Sequence, residues 1–153
     1  IVQIFDMDGT YIDDANIIQG DTSEIQYSLE NISCKERQKV IDRNAHKREI
    51  MNYLLACDNI KGIPYRCYYL SSNLDHALYD QLNLSPEEKL QYSQAFYEQF
   101  MGREELFIKF LDMEVVNGVP ESFPASWRYI REGLNSLQRH TNLNIYFKEN
   151  PIL

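Results

Sequence analysis

The feature that most constrains the fold of this chain is a short apolar run that ends in two aspartates. Residues 2–5 are mostly apolar and β-prone, and the letters DMDGT follow them directly. A run of this kind that closes on Asp and Gly indicates a buried strand entering a turn. Open α/β sheets bind ligands at the carboxyl ends of their strands, so Asp6 and Asp8 are expected at a binding edge. Carboxylate oxygens are preferred ligands of Mg²⁺, which makes the two residues a candidate metal site.

A second β-prone run also ends in polar side chains. Residues 65–70 are rich in tyrosine, and Ser71, Ser72 and Asn73 follow them. If the two strands are parallel, these three residues lie at the same edge of the sheet as the aspartates. Their hydroxyl and amide groups, with the N–H groups at the start of the next helix, would then hold a phosphate. A plain N-terminal cap of that helix is the alternative interpretation.

Three further residues are candidates for the same site. Gly9 removes a side chain beside the aspartates, and Thr10 offers a hydroxyl or an amide to a phosphate oxygen. His76 follows the second strand by about one helical turn and is a candidate proton carrier or metal ligand. An ordinary polar turn and a surface histidine are the alternative interpretations of these residues.

The rest of the chain is predicted to be mostly helical, and it completes an α/β fold with a small, largely parallel sheet and a helix-rich C-terminal half. Helical spacing of apolar residues and capping residues predict helices over residues 33–57, 74–82 and 126–137, and two successive helical stretches within residues 85–111. Ser33, Ser85 and Ser126 are the predicted starts, and the Ser-Pro-Glu-Glu string at 85–88 is the clearest of them. Residues 13–24 and 115–123 are predicted loops, and residues 144–147 a third strand or an edge segment. We expect one domain over residues 1–153, with a core over 1–84, a helical section over 85–143, and further strands upstream of Ile1.

Composition limits the partners that the chain can bind by itself. The 153 residues carry 23 acidic and 15 basic side chains, for a net charge of −8. A domain of this charge repels polyanions, so a nucleic-acid substrate would need metal ions, a partner protein or a neighbouring domain. No apolar stretch approaches the roughly 20 residues of a membrane span, so no membrane partner is expected and the cytoplasm is the expected location.

Cysteine and histidine spacing predicts neither a disulfide framework nor a zinc motif. The cysteines form no CxxC pair, and each lies in or beside a patterned segment where a buried thiol fits. We therefore predict structural thiols at Cys34, Cys57 and Cys67. The three histidines are too scattered along the sequence to form a local zinc motif.

The order of the motifs resembles Toprim domains of the kind found in the OLD and RloB nucleases of phage-defence systems. Those domains carry a hydrophobic strand ending in DxD for Mg²⁺, then a helix, a strand ending in a Ser-Asn element, and a helix-rich section. Asp6, Asp8 and residues 68–73 are similar in that order, over most of the chain. The resemblance implies Mg²⁺-dependent cleavage of nucleic acid. It also implies a glutamate on an earlier strand, which would precede Ile1.

Residues 4–10 also resemble the first motif of the haloacid dehalogenase superfamily, the DxDGT signature of aspartyl-phosphate phosphatases. That resemblance implies Asp6 as nucleophile and Asp8 as general acid, and the serine after the second strand is similar to the second motif. The family also uses a lysine and an acidic pair after later strands. Here Lys109 lies in a predicted helix, and Glu149 is a lone acid after the last apolar run. The missing downstream parts favour the Toprim resemblance.

Three interpretations of function follow, and we rank them in this order. The first is a Mg²⁺-dependent, phosphoester-cleaving domain of a Toprim-like nuclease. The second is a haloacid-dehalogenase-like phosphohydrolase that acts on a small phosphate ester through an Asp6 phosphoenzyme, and the acidic charge favours it because small substrates need no basic groove. The third is a noncatalytic interaction module with a degenerate site.

Overall fold

The computed structural model describes residues 1–152 and has an α/β architecture with about 48% helix. Among these residues, no helix combines the length and apolar character needed to cross a membrane. The strands are β1 (Val2–Asp6), β2 (Ile17–Gln19), β3 (Gln26–Tyr27), β4 (Ile32–Cys34), β5 (Asn59–Ile60), β6 (Ile63–Pro64), β7 (Arg66–Ser71) and β8 (His140–Thr141). The helices are α1 (Arg37–Leu55), α2 (Leu74–Tyr79), α3 (Pro86–Phe100), α4 (Glu104–Phe110), α5 (Phe123–Ile130) and α6 (Leu143–Glu149), with a π-helical turn at Leu111–Val115 and 3-10 turns at Asp14–Asn16 and Asn135–Leu137.

The sheet that carries the candidate site consists of β1, β7 and β8, with β7 in the middle. β1 and β7 are parallel, with Asp6 opposite Leu70, and β8 pairs antiparallel with the end of β7. From Cys67 to Ser71, every residue of β7 is buried. Since β1 and β7 run in the same direction, the residues that follow both strands lie at one edge of the sheet, as the sequence predicts.

β1 differs from the buried strand that the sequence predicts. It is an edge strand that pairs with β7 alone, and Val2 and Ile4 are each 46% exposed. An edge strand has a neighbour on one side only, so an apolar run there keeps part of its surface in contact with solvent. Phe5 is half-buried against the cluster that contains Tyr69. The apolar run therefore predicts the strand correctly but not its burial.

The core lies on both faces of β7. On one face Tyr69 packs with Trp127, whose ring centroid is 5.0 Å away in an edge-on arrangement. On the other face Tyr68 and Leu70 pack with Leu111 and its neighbours. A strand that is covered on both faces has a continuous run of large apolar side chains, which is the pattern of residues 67–70.

Two smaller sheets stand beside the central one, so the sheets are small and mixed rather than largely parallel. β2 is parallel to β4, β3 is antiparallel to β4, and β5 forms an antiparallel pair with β6. β2 and its neighbouring 3-10 turn fall within residues 13–24, which the sequence predicts as a loop. Ile17 of β2 is buried against Ile32 of β4. A strand of three residues is too short to show a clear alternating pattern, which explains the wrong prediction.

Two predicted helix starts are wrong. Ser33 lies in β4, and α1 begins at Arg37 after Glu36, which makes no side-chain capping bond. Ser126 is buried inside α5, and the N-cap of that helix is Ser122, whose side chain accepts a backbone hydrogen bond. A serine before an apolar run marks a helix start only roughly, because neighbouring serines and short strands give the same signal.

The last apolar run, residues 144–147, is helical rather than a third strand. It lies within α6, and the third strand of the central sheet is β8, just before it. Leu143 and Ile145 are buried in the cluster around Tyr68. Four apolar residues fit a short strand and a single helical turn equally well, so the sequence pattern did not separate the two.

All three cysteines are free thiols. Cys34 and Cys67 are buried, as predicted, and Cys57 is half-buried.

Candidate functional site

Backbone hydrogen bonds hold the turn after β1 against the end of β7. The N–H of Met7 donates to the Leu70 carbonyl over 3.1 Å, and the N–H of Asp8 donates to the Ser72 carbonyl over 2.5 Å. These bonds continue the pairing of the two strands beyond their ends. They place Asp6 and Asp8 beside the polar segment that follows β7. The structure therefore brings together the two motifs that the sequence predicts at one edge.

The turn itself depends on a left-handed backbone at two successive residues. Asp8 has φ 49° and Gly9 has φ 66°. Aspartate tolerates this conformation, but Gly9 has a second constraint. A Cβ atom at this position would lie 2.7 Å from Leu137 Cδ2 and 2.8 Å from Ile32 Cδ1. The absence of a side chain at Gly9 therefore allows the close packing of the turn. The Gly9 N–H donates to the Ser136 carbonyl, so this amide is already hydrogen bonded.

Helix α1 supplies a cation to this site. Lys47 Nζ lies 3.0 Å from Asp8 Oδ2 and also donates to the Asp6 carbonyl. Arg43, one helical turn earlier, donates to the Asp8 carbonyl over 2.8 Å. Neither residue is predicted from the sequence. The only local signal is their spacing of four residues, which puts both on one helix face without showing what that face meets.

Two arginines act in the same way on the chain that follows the turn. Arg48 Nη1 donates to the Thr10 carbonyl over 2.9 Å, and Arg37 donates to the carbonyls of Asp14 and Ile17. These cations of α1 point at backbone carbonyl groups rather than at solvent. They hold the aspartate-bearing segment in place, and their positive charge is largely committed to that contact.

The surroundings of Asp6 raise the pKa of its carboxyl to about 6. Desolvation is the largest cause, followed by the negative charge of Asp8, and Asp75 adds in the same direction. The charge of Lys47 and a backbone hydrogen bond from Leu74 oppose the shift. Asp6 still has a solvent-accessible surface. A carboxyl in this position favours a bound cation, because a cation relieves the repulsion between neighbouring carboxylates.

The start of α2 forms the other side of the site. Asn73 caps this helix, since its Oδ1 accepts the His76 N–H over 3.0 Å. Asp75 in the first turn forms an ion pair of 3.0 Å with Lys89 from α3. The capping interpretation of Asn73 is therefore confirmed, and the helix start that it fixes faces Asp6.

Two predicted phosphate ligands are buried and already hydrogen bonded. The hydroxyl and the N–H of Thr10 both donate to the Met7 carbonyl. The Ser71 hydroxyl donates to the Asn135 carbonyl over 3.1 Å. In this conformation neither hydroxyl is available to a phosphate, and both groups stabilise the backbone of the site.

His76 is buried, so its interpretation as a surface histidine is wrong. Its Nδ1 lies 3.3 Å from the hydroxyl of Ser72, which is also buried, and its Nε2 lies 3.8 Å from a carboxylate oxygen of Asp80. Burial lowers the pKa of the imidazole. The Ser72 carbonyl in turn accepts the Asp8 N–H, so His76 reaches the aspartates through Ser72 rather than directly.

Two side chains of the site, Asp6 and Asp8, carry carboxylate oxygens, the kind of donor that Mg²⁺ prefers. In the described part of the chain, no three His, Cys, Asp or Glu side chains are grouped so as to hold a metal ion. Asp6 and Asp8 provide two carboxylates on one turn. Magnesium in phosphoryl-transfer sites is commonly held by one or two carboxylates, with water and substrate phosphates as its other ligands. Hard oxygen donors of this kind favour Mg²⁺ over softer metals.

Comparison of the chain with models of protein families, with curated proteins and with solved structures finds no match in any of the three. The fold and the site by themselves define an α/β protein with two carboxylates and one lysine at the shared edge of two parallel strands.

Proposed function

We propose that the chain is a Mg²⁺-dependent, phosphoester-cleaving domain of a Toprim-like nuclease. The observation that supports this most is the position of Asp6 and Asp8 at the shared edge of the parallel strands β1 and β7. Ligands of open α/β sheets bind at such edges. The raised pKa of Asp6 adds support, because carboxyl groups with shifted pKa values are common in catalytic and ligand-binding sites.

In this proposal Asp6 and Asp8 would hold Mg²⁺, and the ion would polarise a phosphate and activate a water molecule. Lys47, whose ammonium group lies 3.0 Å from Asp8 Oδ2, would pair with a phosphate oxygen of the substrate. His76, a candidate proton carrier in the sequence, is proposed here as a positioning residue. It acts on the turn through Ser72, whose carbonyl accepts the Asp8 N–H.

Nucleic acid would need positive charge from outside this domain. The net charge of −8 repels a polyanion, and the arginines of α1 are bonded to backbone carbonyls. We therefore include in the proposal a partner protein or a neighbouring domain that carries the substrate backbone. A cytoplasmic phage-defence system is the setting that the Toprim resemblance implies.

One observation favours a second candidate, a haloacid-dehalogenase-like phosphohydrolase. Lys47 reaches the aspartate pair at 3.0 Å, although the sequence places no lysine after a later strand. In this candidate Asp6 attacks phosphorus and forms a phosphoenzyme, and Asp8 protonates the leaving oxygen. A small phosphate ester needs no basic groove, which agrees with the acidic composition.

The decisive experiment is hydrolysis by the full-length protein of single- and double-stranded DNA and RNA, beside p-nitrophenyl phosphate, with and without Mg²⁺. Cleavage of nucleic acid that requires Mg²⁺ and is lost in Asp6→Asn is the expected result. Asp21→Asn is the matched control, because Asp21 is an exposed aspartate outside the site.

The other outcomes separate the alternatives. Turnover of the phosphomonoester alone, with covalent phosphate trapped on Asp6, would replace the nuclease with the second candidate. An absence of hydrolysis together with an absence of Mg²⁺ binding would leave a noncatalytic interaction module.

A further inference from the structure

A tyrosine that the proposed function does not use lies beside the aspartate turn. Tyr27 belongs to β3, and its hydroxyl oxygen accepts a hydrogen bond from Arg43 Nη1 over 2.9 Å. The other terminal nitrogen of the same guanidinium group, Nη2, donates to the Asp8 carbonyl over 2.8 Å. Because both nitrogens belong to one rigid planar group, the Tyr27 hydroxyl is held next to the backbone of Asp8.

The position of Tyr27 is fixed from several sides. The Asn83 side chain, in the loop between α2 and α3, accepts the Tyr27 N–H and donates to the Tyr27 carbonyl, each over 2.8 Å. Tyr27 also pairs with Ile32 of β4, and its half-buried side chain packs against the cluster that contains Ile12 and Ile32. A residue held in this way contacts a ligand with little further loss of conformational entropy.

The Tyr27 hydroxyl keeps a hydrogen to donate. A guanidinium group only donates, so the Tyr27 oxygen is the acceptor in its contact with Arg43, and the hydroxyl hydrogen remains available to another acceptor. A hydroxyl that accepts from a cation is polarised by it, which makes the hydroxyl a stronger donor. Phosphate oxygens are charged acceptors that suit such a donor.

The electrostatics of the turn keep this hydroxyl protonated. Burial raises the pKa of the Tyr27 hydroxyl, and the negative charges of Asp8 and Asp6 raise it further, while the positive charge of Arg43 opposes the shift. Since Coulomb interactions weaken with distance, the influence of both carboxylates agrees with a hydroxyl that lies close to the aspartate pair. Tyr27 is therefore a neutral hydrogen-bond donor at neutral pH rather than a base.

We propose that Tyr27 is a substrate-binding residue, whose hydroxyl donates to a non-bridging oxygen of the phosphate group at the aspartate pair. This role rests on the phosphoester chemistry proposed for Asp6 and Asp8, and it applies to both candidate reactions. Lys47 contacts the Asp8 carboxylate, whereas Tyr27 is linked through a guanidinium group to the Asp8 carbonyl. A neutral donor adds a contact to phosphate without the additional positive charge that would repel Mg²⁺.

The test is binding of inorganic phosphate to the full-length protein in the presence of Mg²⁺, measured by phosphorus NMR titration of the wild type and Tyr27→Phe. This substitution removes the hydroxyl and keeps the ring and the backbone contacts. Phosphate binding should weaken by roughly ten- to a hundredfold, the loss typical of a hydrogen bond to a charged group. In hydrolysis, KM should rise by a similar factor with little change in kcat, because the contact is made in the ground state and in the transition state alike.

Two controls separate a substrate contact from a structural role. The Mg²⁺ affinity and the thermal unfolding temperature of Tyr27→Phe should stay close to those of the wild type. Tyr65→Phe is the matched variant, because the Tyr65 hydroxyl also bonds a side chain, donating to Gln3 Oε1 over 2.9 Å. Tyr65 precedes β7 and lies at the opposite end of that strand from the site, so its phosphate binding and KM should be unchanged.

Phosphate affinity and KM that are equal in Tyr27→Phe and the wild type would overturn the proposed contact. Weaker Mg²⁺ binding in Tyr27→Phe would also overturn it, because the hydroxyl would then act through Arg43 on Asp8 rather than on phosphate. If Asp6→Asn abolishes hydrolysis while Tyr27→Phe behaves as the wild type, only the role of Tyr27 is wrong. If the wild type neither hydrolyses a phosphoester nor binds phosphate, the proposed function is wrong as well.

Discussion

Gly9 is the residue whose replacement the site should tolerate least. Its backbone is left-handed, and a Cβ atom would meet Leu137 and Ile32 at 2.7 Å and 2.8 Å. Gly9→Ala should therefore lower the free energy of unfolding by the cost of a left-handed alanine, about 1 kcal/mol, and by about 1–3 kcal/mol more for overpacking. Urea denaturation of the two proteins measures the difference.

Gly62→Ala provides the control for that prediction. Gly62 is also left-handed, with φ 80°, but nothing lies within 4 Å of its Cβ position. This variant should lose only the backbone contribution, about 1 kcal/mol. Equal losses in the two variants would show that the space around Gly9 can relax, and would contradict the close turn that we describe.

Lys47 should have opposite effects on metal binding and on turnover. Its ammonium group lies 3.0 Å from Asp8, so Lys47→Met removes a charge that repels a cation. Mg²⁺ should bind roughly tenfold more tightly, because two unit charges about 4 Å apart interact by at least about 1 kcal/mol even when water screens them fully. Turnover should fall by roughly a hundredfold if Lys47 stabilises the developing phosphate charge. Isothermal titration and steady-state hydrolysis measure the two quantities.

Lys39→Met is the matched control for Lys47, because Lys39 lies on the same helix and forms an exposed ion pair with Glu36. It should change both quantities by less than about twofold. Weaker Mg²⁺ binding in Lys47→Met would mean that the lysine organises Asp8 for metal rather than competing with it.

At the scale of elements, variants at the N-caps of α2 and α3 distinguish an effect on stability from an effect on activity. Asn73 caps α2 at the site, and Ser85 forms a capping box with Glu88 at the start of α3. Replacing either cap with alanine should cost about 1 kcal/mol of stability. Only Asn73→Ala should also reduce Mg²⁺-dependent hydrolysis, because α2 begins beside Asp6. Thermal unfolding and hydrolysis of both variants test this, and equal activity in the two would show that the start of α2 has no part in the site.

The same elements show what the sequence can and cannot predict. The parallel edge that joins β1 and β7 is predictable, because both strands are apolar runs that stop at polar residues. The capping box at Ser85 is predictable because its bonds are local. By contrast, residues 144–147 form part of α6 through their packing in the Tyr68 cluster, and a four-residue pattern contains no information about that packing.

Part of the candidate site is unpredictable for a related reason. Asp6 and Asp8 are two residues apart in the sequence and are found from their motif. Lys47 meets Asp8 from 39 residues away, and the contact exists only because α1 packs against the turn. Thr10 looks like a phosphate ligand in the sequence, but its hydroxyl is bonded to the Met7 carbonyl. Tertiary contacts therefore decide which polar residues near the motif are free to bind.

For the whole molecule, two buried histidines should make stability depend on pH. Burial lowers the pKa of His76; Asp80 opposes that shift, and Arg139 and His140 add to it. Burial also lowers the pKa of His140, which lies beside the Tyr129 hydroxyl, while nearby backbone carbonyls oppose the shift. The unfolded chain therefore binds more protons than the folded chain once the pH falls below about 6.5. The two neutral histidines therefore contribute stability to the folded state above about pH 6.5, and this contribution is lost as the pH falls below that value.

Thermal unfolding at about pH 7.5 and about pH 5.5 measures this dependence. Asp6 acts in the opposite sense, because its pKa is raised to about 6 and the folded state gains stability when that carboxyl takes a proton. His140→Gln should therefore lose less thermal stability on acidification than the wild type, since it lacks one histidine but keeps Asp6. His46→Gln, which replaces an exposed histidine, should keep the wild-type dependence. If His140→Gln and the wild type lose the same stability between the two pH values, the buried histidines are not the groups that couple protonation to unfolding.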